Sequence, residues 1–81
     1  MARNIQRNWD HQIYAIANLD RLSSYEAGRY EITEFKVEEW AGGHVNVSRV
    51  KKPLHAQNVA YHESYVVGPR GKVKQIYSSL Y

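Results

Sequence analysis

The sequence predicts a single α+β domain in which an N-terminal helix packs on a four-stranded antiparallel sheet made of two β-hairpins. Three observations predict this fold. Apolar residues recur at helical spacing near the start of the chain and then change to strict alternation. Two glycine-containing turns each lie between alternating segments. The chain has 81 residues, and a chain of this length has enough apolar side chains for only one core, so residues 1–81 form one domain.

The predicted helix lies between Asn8 and Leu22. Its apolar residues recur at intervals of four, three and three, at Trp9, Ile13, Ile16 and Leu19. Asn8 is a suitable N-cap, and Asp10 suits the first turn, where a carboxylate meets the positive end of the helix dipole. A short strand over residues 13–16 is the alternative, because a four-residue apolar run cannot be assigned from its period alone.

The segments beside this helix are short. Residues 1–7 are expected to be flexible and contain no apolar run that resembles the core of a signal peptide. No later segment approaches the roughly 20 apolar residues that cross a bilayer, so a cytoplasmic location without membrane contact is expected. Ser23 and Glu26 have the spacing of a capping box, and Gly28 limits any helix that follows to one turn.

The first hairpin begins at Tyr30, where the pattern changes to period two. Residues 41–43, Ala-Gly-Gly, supply the turn. A three-residue loop pairs Val37 with Val47 and places four apolar residues on one face: Phe35, Val37, Val45 and Val47. A two-residue turn would bring like charges together and scatter these apolar residues, so the longer loop is predicted. Pro53 ends the hairpin because it has no N–H to donate.

The second hairpin turns at residues 68–71, Gly-Pro-Arg-Gly. Proline at the second position and glycine at the fourth fit a type I turn that ends in a G1 bulge. This turn pairs Val67 with Val73 and Tyr65 with Gln75. One face then carries Tyr61, Tyr65, Val67, Val73 and Tyr77, and the other carries His62, Ser64, Val66, Lys72, Lys74 and Ile76.

The net charge of +3 conceals an asymmetry along the chain. Residues 1–48 hold five Lys/Arg and seven Asp/Glu, a net charge of −2, whereas residues 49–81 hold six Lys/Arg and one Asp/Glu, a net charge of +5. Clustered charge steers association, which indicates nucleic acid or an acidic protein surface as a partner for the second half. The alternative is that acidic and basic strands are neighbours that neutralise each other.

Basic and aromatic residues together mark the candidate binding surface. The candidates are Arg49, Lys51, Lys52, Arg70, Lys72, Lys74, Tyr61 and Tyr65. Phosphates bind cations spaced along a surface, and bases stack on tyrosine rings. The predicted register places the tyrosines opposite Lys72 and Lys74, so a core role for the tyrosines is the alternative. The tip of the second hairpin is the firmer part of the prediction.

No motif predicts catalysis, a metal site or a cofactor. The chain has no cysteine, and its four histidines lack the close spacing of a zinc ligand pair. The sequence therefore predicts a non-enzymatic binding protein that acts by stoichiometric surface contact. Its expected partner is nucleic acid or a protein that handles nucleic acid. An open edge strand of a small sheet would also allow a homodimer.

Two other functions fit the same residues. One is an inhibitor of the kind that phages and mobile elements encode, which would present its charged strands or acidic hairpin to the nucleic-acid site of a host enzyme. The other is a histidine-dependent ribonuclease toxin that uses acid–base chemistry, with His44, His55 and His62 beside Arg49 as candidates. Solvent-exposed histidines explain the same residues without any chemistry.

Overall fold

The computed structural model describes residues 7–80 and confirms the predicted fold, a helix packed on a four-stranded antiparallel sheet. In chain order its elements are α1 (Trp9–Leu19), α2 (Ser24–Ala27), β1 (Tyr30–Glu39), a 3-10 turn (Ala41–Gly43), β2 (Val45–Pro53), β3 (Tyr61–Val67) and β4 (Val73–Leu80). The strands are neighbours in chain order, so β1 and β4 are the edges. Neither helix within residues 7–80 has the length and apolar character needed to cross a membrane.

The helix α1 begins where the sequence predicts. Asn8 Oδ1 accepts a hydrogen bond from the backbone N–H of His11 at 3.0 Å, which satisfies one of the free N–H groups of the first turn. The predicted flexibility of residues 1–6 lies outside the described residues. Arg7, the first described residue, donates from Nε to Gln12 Oε1 at 2.6 Å and stacks its guanidinium 3.5 Å from the centroid of the Trp9 ring.

The buried face of α1 differs from the predicted apolar stripe. Gln12 and Ala15 are its buried residues, whereas Trp9 and Ile13 are exposed. Gln12 is only 1 % exposed, and its hydrogen bonds compensate the cost of burying the amide. Nε2 donates to the carbonyl oxygens of Gly43 at 2.8 Å and Gly68 at 3.2 Å. A polar side chain thus attaches α1 to both turns at one end of the sheet.

The first hairpin has the predicted register. Val37 pairs with Val47 and Glu39 with Val45 across the three-residue turn. Gly42 and Gly43 both have a φ of 74°, a backbone conformation that favours glycine. The side chains of Val45 and Val47 pack in the core with Ala15 of α1. We name this side of the sheet the helix-covered face and the other side the open face.

The second hairpin also has the predicted turn. The N–H of Gly71 donates to the carbonyl of Gly68 at 2.9 Å, and Val67 pairs with Val73 and Tyr65 with Gln75. The predicted position of Tyr77 is wrong. A β-bulge between the pairs Tyr65–Gln75 and Ser64–Tyr77 adds a residue to β4 and shifts its alternation by one, so Tyr77 lies on the open face.

The hydrophobic core is small and lies between α1 and the central strands. Its buried members are Ala15, Val45, Val47 and Val67, with Ile16, Leu19 and Phe35 packed against them. The short side chain of Ala15 allows α1 to approach the sheet closely. The core covers only the turn end of the helix-covered face, and charged side chains fill the other end.

Candidate nucleic-acid interface

Arg49 lies on the helix-covered face of β2 and is 8 % exposed. Its Nε donates to Glu63 Oε1 at 2.8 Å, and its Nη1 donates to the Leu19 carbonyl at 2.8 Å. That carbonyl belongs to the last turn of α1, where the helix dipole favours a cation. Burial opposes the charged form, but the hydrogen bond to Glu63 and neighbouring charge outweigh it and raise the pKa of Arg49. The Arg49 guanidinium is therefore not part of an exposed basic surface.

Lys51, on the same face of β2, is also paired with carboxylates. Its Nζ lies 2.6 Å from Glu26 Oε2 and 3.5 Å from Glu63 Oε2. Burial opposes its charge, but the hydrogen bond to Glu26 and the two carboxylate charges raise the pKa of Lys51, and the same hydrogen bond lowers the pKa of Glu26. We name these four residues, Glu26, Arg49, Lys51 and Glu63, the ion cluster. It joins α1, α2, β2 and β3, so the two predicted binding cations in it are paired with carboxylates of the fold.

The ion cluster predicts how stability depends on pH. Because folding lowers the pKa of Glu26, its carboxylate stabilises the fold above the ordinary value of about 4.3, and this contribution is lost as the pH falls through the lowered pKa. Folding raises the pKa of Lys51, so its contribution is present below the ordinary value of about 10.4 and is lost as the pH rises through the raised pKa. We expect the contribution of this pair to be constant between about pH 5 and pH 10.

Urea unfolding of the wild type and Glu26→Gln at a series of pH values measures this contribution. The difference between the two midpoints should be constant near neutral pH and should shrink in acid. Glu34→Gln, at an exposed position on β1, is the matched control and should follow the wild type throughout. A difference for Glu26→Gln that persists unchanged in strong acid would contradict the role assigned to the carboxylate.

The two predicted binding tyrosines are half-buried on the helix-covered face. The ring of Tyr61 packs edge-to-face against Tyr30, with centroids 5.7 Å apart. The hydroxyl of Tyr65 lies 3.4 Å from Arg49 Nη2, and burial raises the pKa of Tyr65. Lys51 Nζ lies 5.3 Å from the Tyr30 centroid. These tyrosines therefore pack around the ion cluster, beside the hydrophobic core and not within it.

The remaining predicted cations separate into three places. Lys52 lies on the open face as the pairing partner of Glu31. Arg70 lines a depression on the helix side of the second hairpin, beside Tyr14. Only Lys72 and Lys74 lie together: both line an open-face groove of about 350 Å³, whose other lining residues are His44, Val66, Gly68 and Ile76.

A second and larger groove lies on the same face. It has a volume of about 550 Å³. Its lining consists of seven open-face residues, Glu34, Lys36, Ser48, Val50, His62, Ser64 and Tyr77, and of three residues that lie between them on their strands, Phe35, Arg49 and Glu63. Tyr77 is 48 % exposed and follows Ile76 of the first groove directly in the chain. The β3–β4 half of the open face thus presents two lysines, an aromatic ring and polar side chains on one surface.

Sequence reasoning missed Tyr77 as a member of this surface. Strict alternation counted from Val73 places Tyr77 on the same face as Tyr61 and Tyr65. No glycine, proline or other turn residue in β4 indicates that the strand contains an extra residue. It also missed Lys36, which lies on the open face because its neighbours Phe35 and Val37 point to the helix. The alternation in β1 already contained that information.

The charges of the chain are partly neutralised and partly separated. On the helix-covered face, basic Arg49 and Lys51 meet acidic Glu26 and Glu63, as the alternative reading of the charge pattern proposed. On the open face, the glutamates lie on β1 and Lys72 and Lys74 lie at β4, the opposite edge. Because the acidic strand and these lysines lie at opposite edges of the sheet, no acidic strand within residues 7–80 is a neighbour of Lys72 and Lys74.

The three histidines of the ribonuclease alternative lie in different parts of the fold. His44 Nδ1 lies 3.3 Å from the Ala41 carbonyl, His55 lies in the connection between β2 and β3, and His62 lines the larger groove. Within residues 7–80, no three histidine or acidic side chains come together in a group that could hold a metal ion. Arg49, the cation of the ribonuclease alternative, lies in the ion cluster.

Comparison with known proteins adds no further guide to function. No protein-family model, no curated protein and no solved structure matches this chain.

Proposed function

We propose that this is a non-enzymatic binding protein that holds single-stranded nucleic acid on the β3–β4 half of its open face. One observation carries the proposal: the bulge in β4 brings Tyr77 to the face that also presents Lys72 and Lys74. Alternation without the bulge would separate the ring from the lysines. A surface that combines an aromatic ring with spaced cations suits single-stranded nucleic acid, which has bases that can stack and phosphates that carry negative charge.

Each part of this surface has a role in such binding. Tyr77 is half-exposed, and stacking of a base on its ring would contribute about 1–3 kcal/mol. Lys72 and Lys74 supply the charges that attract phosphates. Ser64 lines the same groove as Tyr77, and its hydroxyl, which accepts a hydrogen bond from Asn46 Nδ2 at 2.8 Å, can donate to a base edge.

Single strands fit this surface better than a duplex does. A base can stack on a side chain only when it is unstacked from its neighbours, which single strands allow. The grooves beside Tyr77 and Lys74 are open to solvent on a sheet surface, so a strand can lie across them. Binding of this type needs contact and no chemistry, in agreement with the proposal that the protein is not an enzyme. Such a partner also accords with a cytoplasmic location, which we propose.

Fluorescence anisotropy with labelled single-stranded DNA and RNA oligonucleotides tests the proposal. We expect affinity to fall steeply as salt rises, and Lys72→Ala with Lys74→Ala should reduce the slope of log K against log salt by about 1.4, because each phosphate contact on a single strand contributes about 0.7. Tyr77→Ala should weaken binding by about 1–3 kcal/mol, and Tyr77→Phe, which keeps the ring, should retain most of it.

The matched control removes the same charge elsewhere. Arg21→Ala with Arg29→Ala deletes two exposed cations beside α2, at the other end of the molecule from the second turn. This variant should keep most of the affinity and the salt slope. Absence of binding at low salt, or equal losses in the two double variants, would overturn the proposal.

A second function is favoured by the other edge of the sheet. Glu31, Glu34 and Glu38 lie on the open-face side of β1 and are exposed, so they form a row that is acidic overall although Lys36 lies between Glu34 and Glu38. Such a row is complementary to the basic nucleic-acid site of an enzyme. By covering that site, this chain would inhibit the enzyme. Replacing the three glutamates with glutamine should abolish capture of such a protein in a pulldown and leave oligonucleotide binding intact. The reverse result would favour the first function.

A further inference from the structure

The edge strand β4 is exposed along almost its whole length. Of its residues only Ser79 is partly covered, and four large apolar side chains are 41–58 % exposed: Val73, Ile76, Tyr77 and Leu80. They lie on both sides of the strand, because the bulge places Ile76 and Tyr77 toward the open face while Leu80 pairs with Tyr61 on the helix-covered face. The core beneath α1 contains residues of β2 and β3 but none of β4, so the helix leaves this edge uncovered.

The other edge is protected and β4 is not. Along β1, half of the residues are charged, at Glu31, Glu34, Lys36, Glu38 and Glu39, and a bulge interrupts its register between Ile32 and Glu34. Charges and bulges on an edge strand prevent it from pairing with other chains. In β4, residues 75–80 contain no charge and no proline. Beyond its bulge, the strand is regular from Tyr77 to Leu80.

We propose that β4 pairs antiparallel with β4 of a second copy of this chain, so that two four-stranded sheets join into one eight-stranded sheet. The charge pattern identifies the occupant. Self-pairing brings uncharged residues 76–80 against their own copies, with the short side chain of Ser78 opposite Ser78 of the second copy at the two-fold axis. The two Lys74 residues then lie roughly 25 Å apart along the strands, too far for strong repulsion.

The alternative pairings are less favourable. Pairing of β1 with β1 of another copy would place glutamates opposite glutamates, which destabilises a sheet. Pairing of β1 with β4 of the next copy leaves one free edge at each end and continues into an open fibre. The β4–β4 arrangement closes after two copies and hides the uncharged edge of both.

The dimer extends the binding surface, a consequence that rests on the proposed function. A two-fold axis perpendicular to the sheet keeps both open faces on the same side. The two copies of Lys72, Lys74 and Tyr77 therefore lie on one continuous surface. A longer single strand can cross both copies, so its affinity should exceed that of a short oligonucleotide by more than its extra length alone explains.

Sedimentation equilibrium without nucleic acid tests the dimer. The wild type should sediment as a dimer at high micromolar concentration and dissociate on dilution, whereas Leu80→Lys should stay monomeric. Val37→Lys is the matched control, since Val37 is also a large, exposed apolar residue on an edge strand, 46 % exposed against 58 % for Leu80. This variant should dimerise like the wild type. Thermal melts establish that each variant is folded.

Hydrogen exchange of the wild type provides a test that needs no variant. Backbone amides of residues 77–80 should gain protection as protein concentration rises, and those of β1 should not. A wild type that stays monomeric at the highest concentration, or a dimer that Val37→Lys dissociates and Leu80→Lys does not, would overturn the inference. A monomer that binds oligonucleotides overturns only the dimer, and a dimer that binds none overturns only the proposed function.

Discussion

Replacing Glu63 with glutamine is expected to lower the free energy of unfolding by about 3 kcal/mol or more. Glu63 is 9 % exposed, and its two oxygens lie 2.8 Å from Arg49 Nε and 3.5 Å from Lys51 Nζ. Glutamine keeps the shape but removes the negative charge, so a buried cation, Arg49, and a half-buried one, Lys51, lose a common partner. In a domain of this size, that loss corresponds to a fall in melting temperature of roughly 12–24 °C, measured by circular dichroism.

Two further variants separate the buried charge from a general effect of losing a glutamate. Glu38→Gln, at an exposed position on β1, should melt within a few degrees of the wild type. Replacing both Arg49 and Glu63 with methionine should cost less than the sum of the two single replacements, because no unpaired charge is then left between them. A Glu63→Gln protein as stable as Glu38→Gln would show that the ion cluster contributes little to stability.

The second large effect is expected from Gly71→Ala, which should destabilise the protein by about 2 kcal/mol or more. Gly71 has a φ of 88°, and an added Cβ would lie 2.7 Å from the carbonyl oxygen of His11 in α1. The left-handed backbone alone costs a residue with a Cβ roughly 1–2 kcal/mol. The contact with a backbone atom adds to this, because α1 or the turn has to move.

Gly28→Ala is the matched control for this substitution. Gly28 has a φ of −91°, and its added Cβ would meet nothing within 4 Å. Alanine there should be neutral or stabilising by up to about 1 kcal/mol, because it restricts the unfolded chain. Urea unfolding of the two variants gives the comparison. Similar midpoints for Gly71→Ala and the wild type would show that the turn does not press against α1.

The turns explain why so much of the sheet could be predicted. A turn type determines which residues face each other, so glycine at 42–43 and the Gly-Pro-Arg-Gly sequence at 68–71 determined the pairs Val37–Val47 and Val67–Val73. The N-cap Asn8 gave the start of α1 for a similar reason, because its bond to His11 is local. Each of these signals acts over a few residues of chain.

The features that could not be predicted depend on contacts between distant residues. Arg49 looks like a surface cation in sequence, and only the folded chain brings it to Glu63 and to the end of α1. Gln12 looks like a solvent-facing residue, yet it bonds to Gly43 and Gly68 in two different turns. The bulge that moves Tyr77 has no turn residue to mark it. Two of the predicted binding cations thus lie in the ion cluster, and the ring of Tyr77 lies on the open face and not on the face that the alternation predicts.

The strand order also gives the molecule an electric dipole across its sheet. The acidic strand β1 and the lysines of β4 lie at opposite edges, three strand spacings apart, or about 14 Å. A polyanion that approaches in solution is attracted to one edge and repelled by the other before any atom touches. The protein is therefore turned during the encounter so that β4 arrives first, and this orientation should weaken as salt shortens the range of the field.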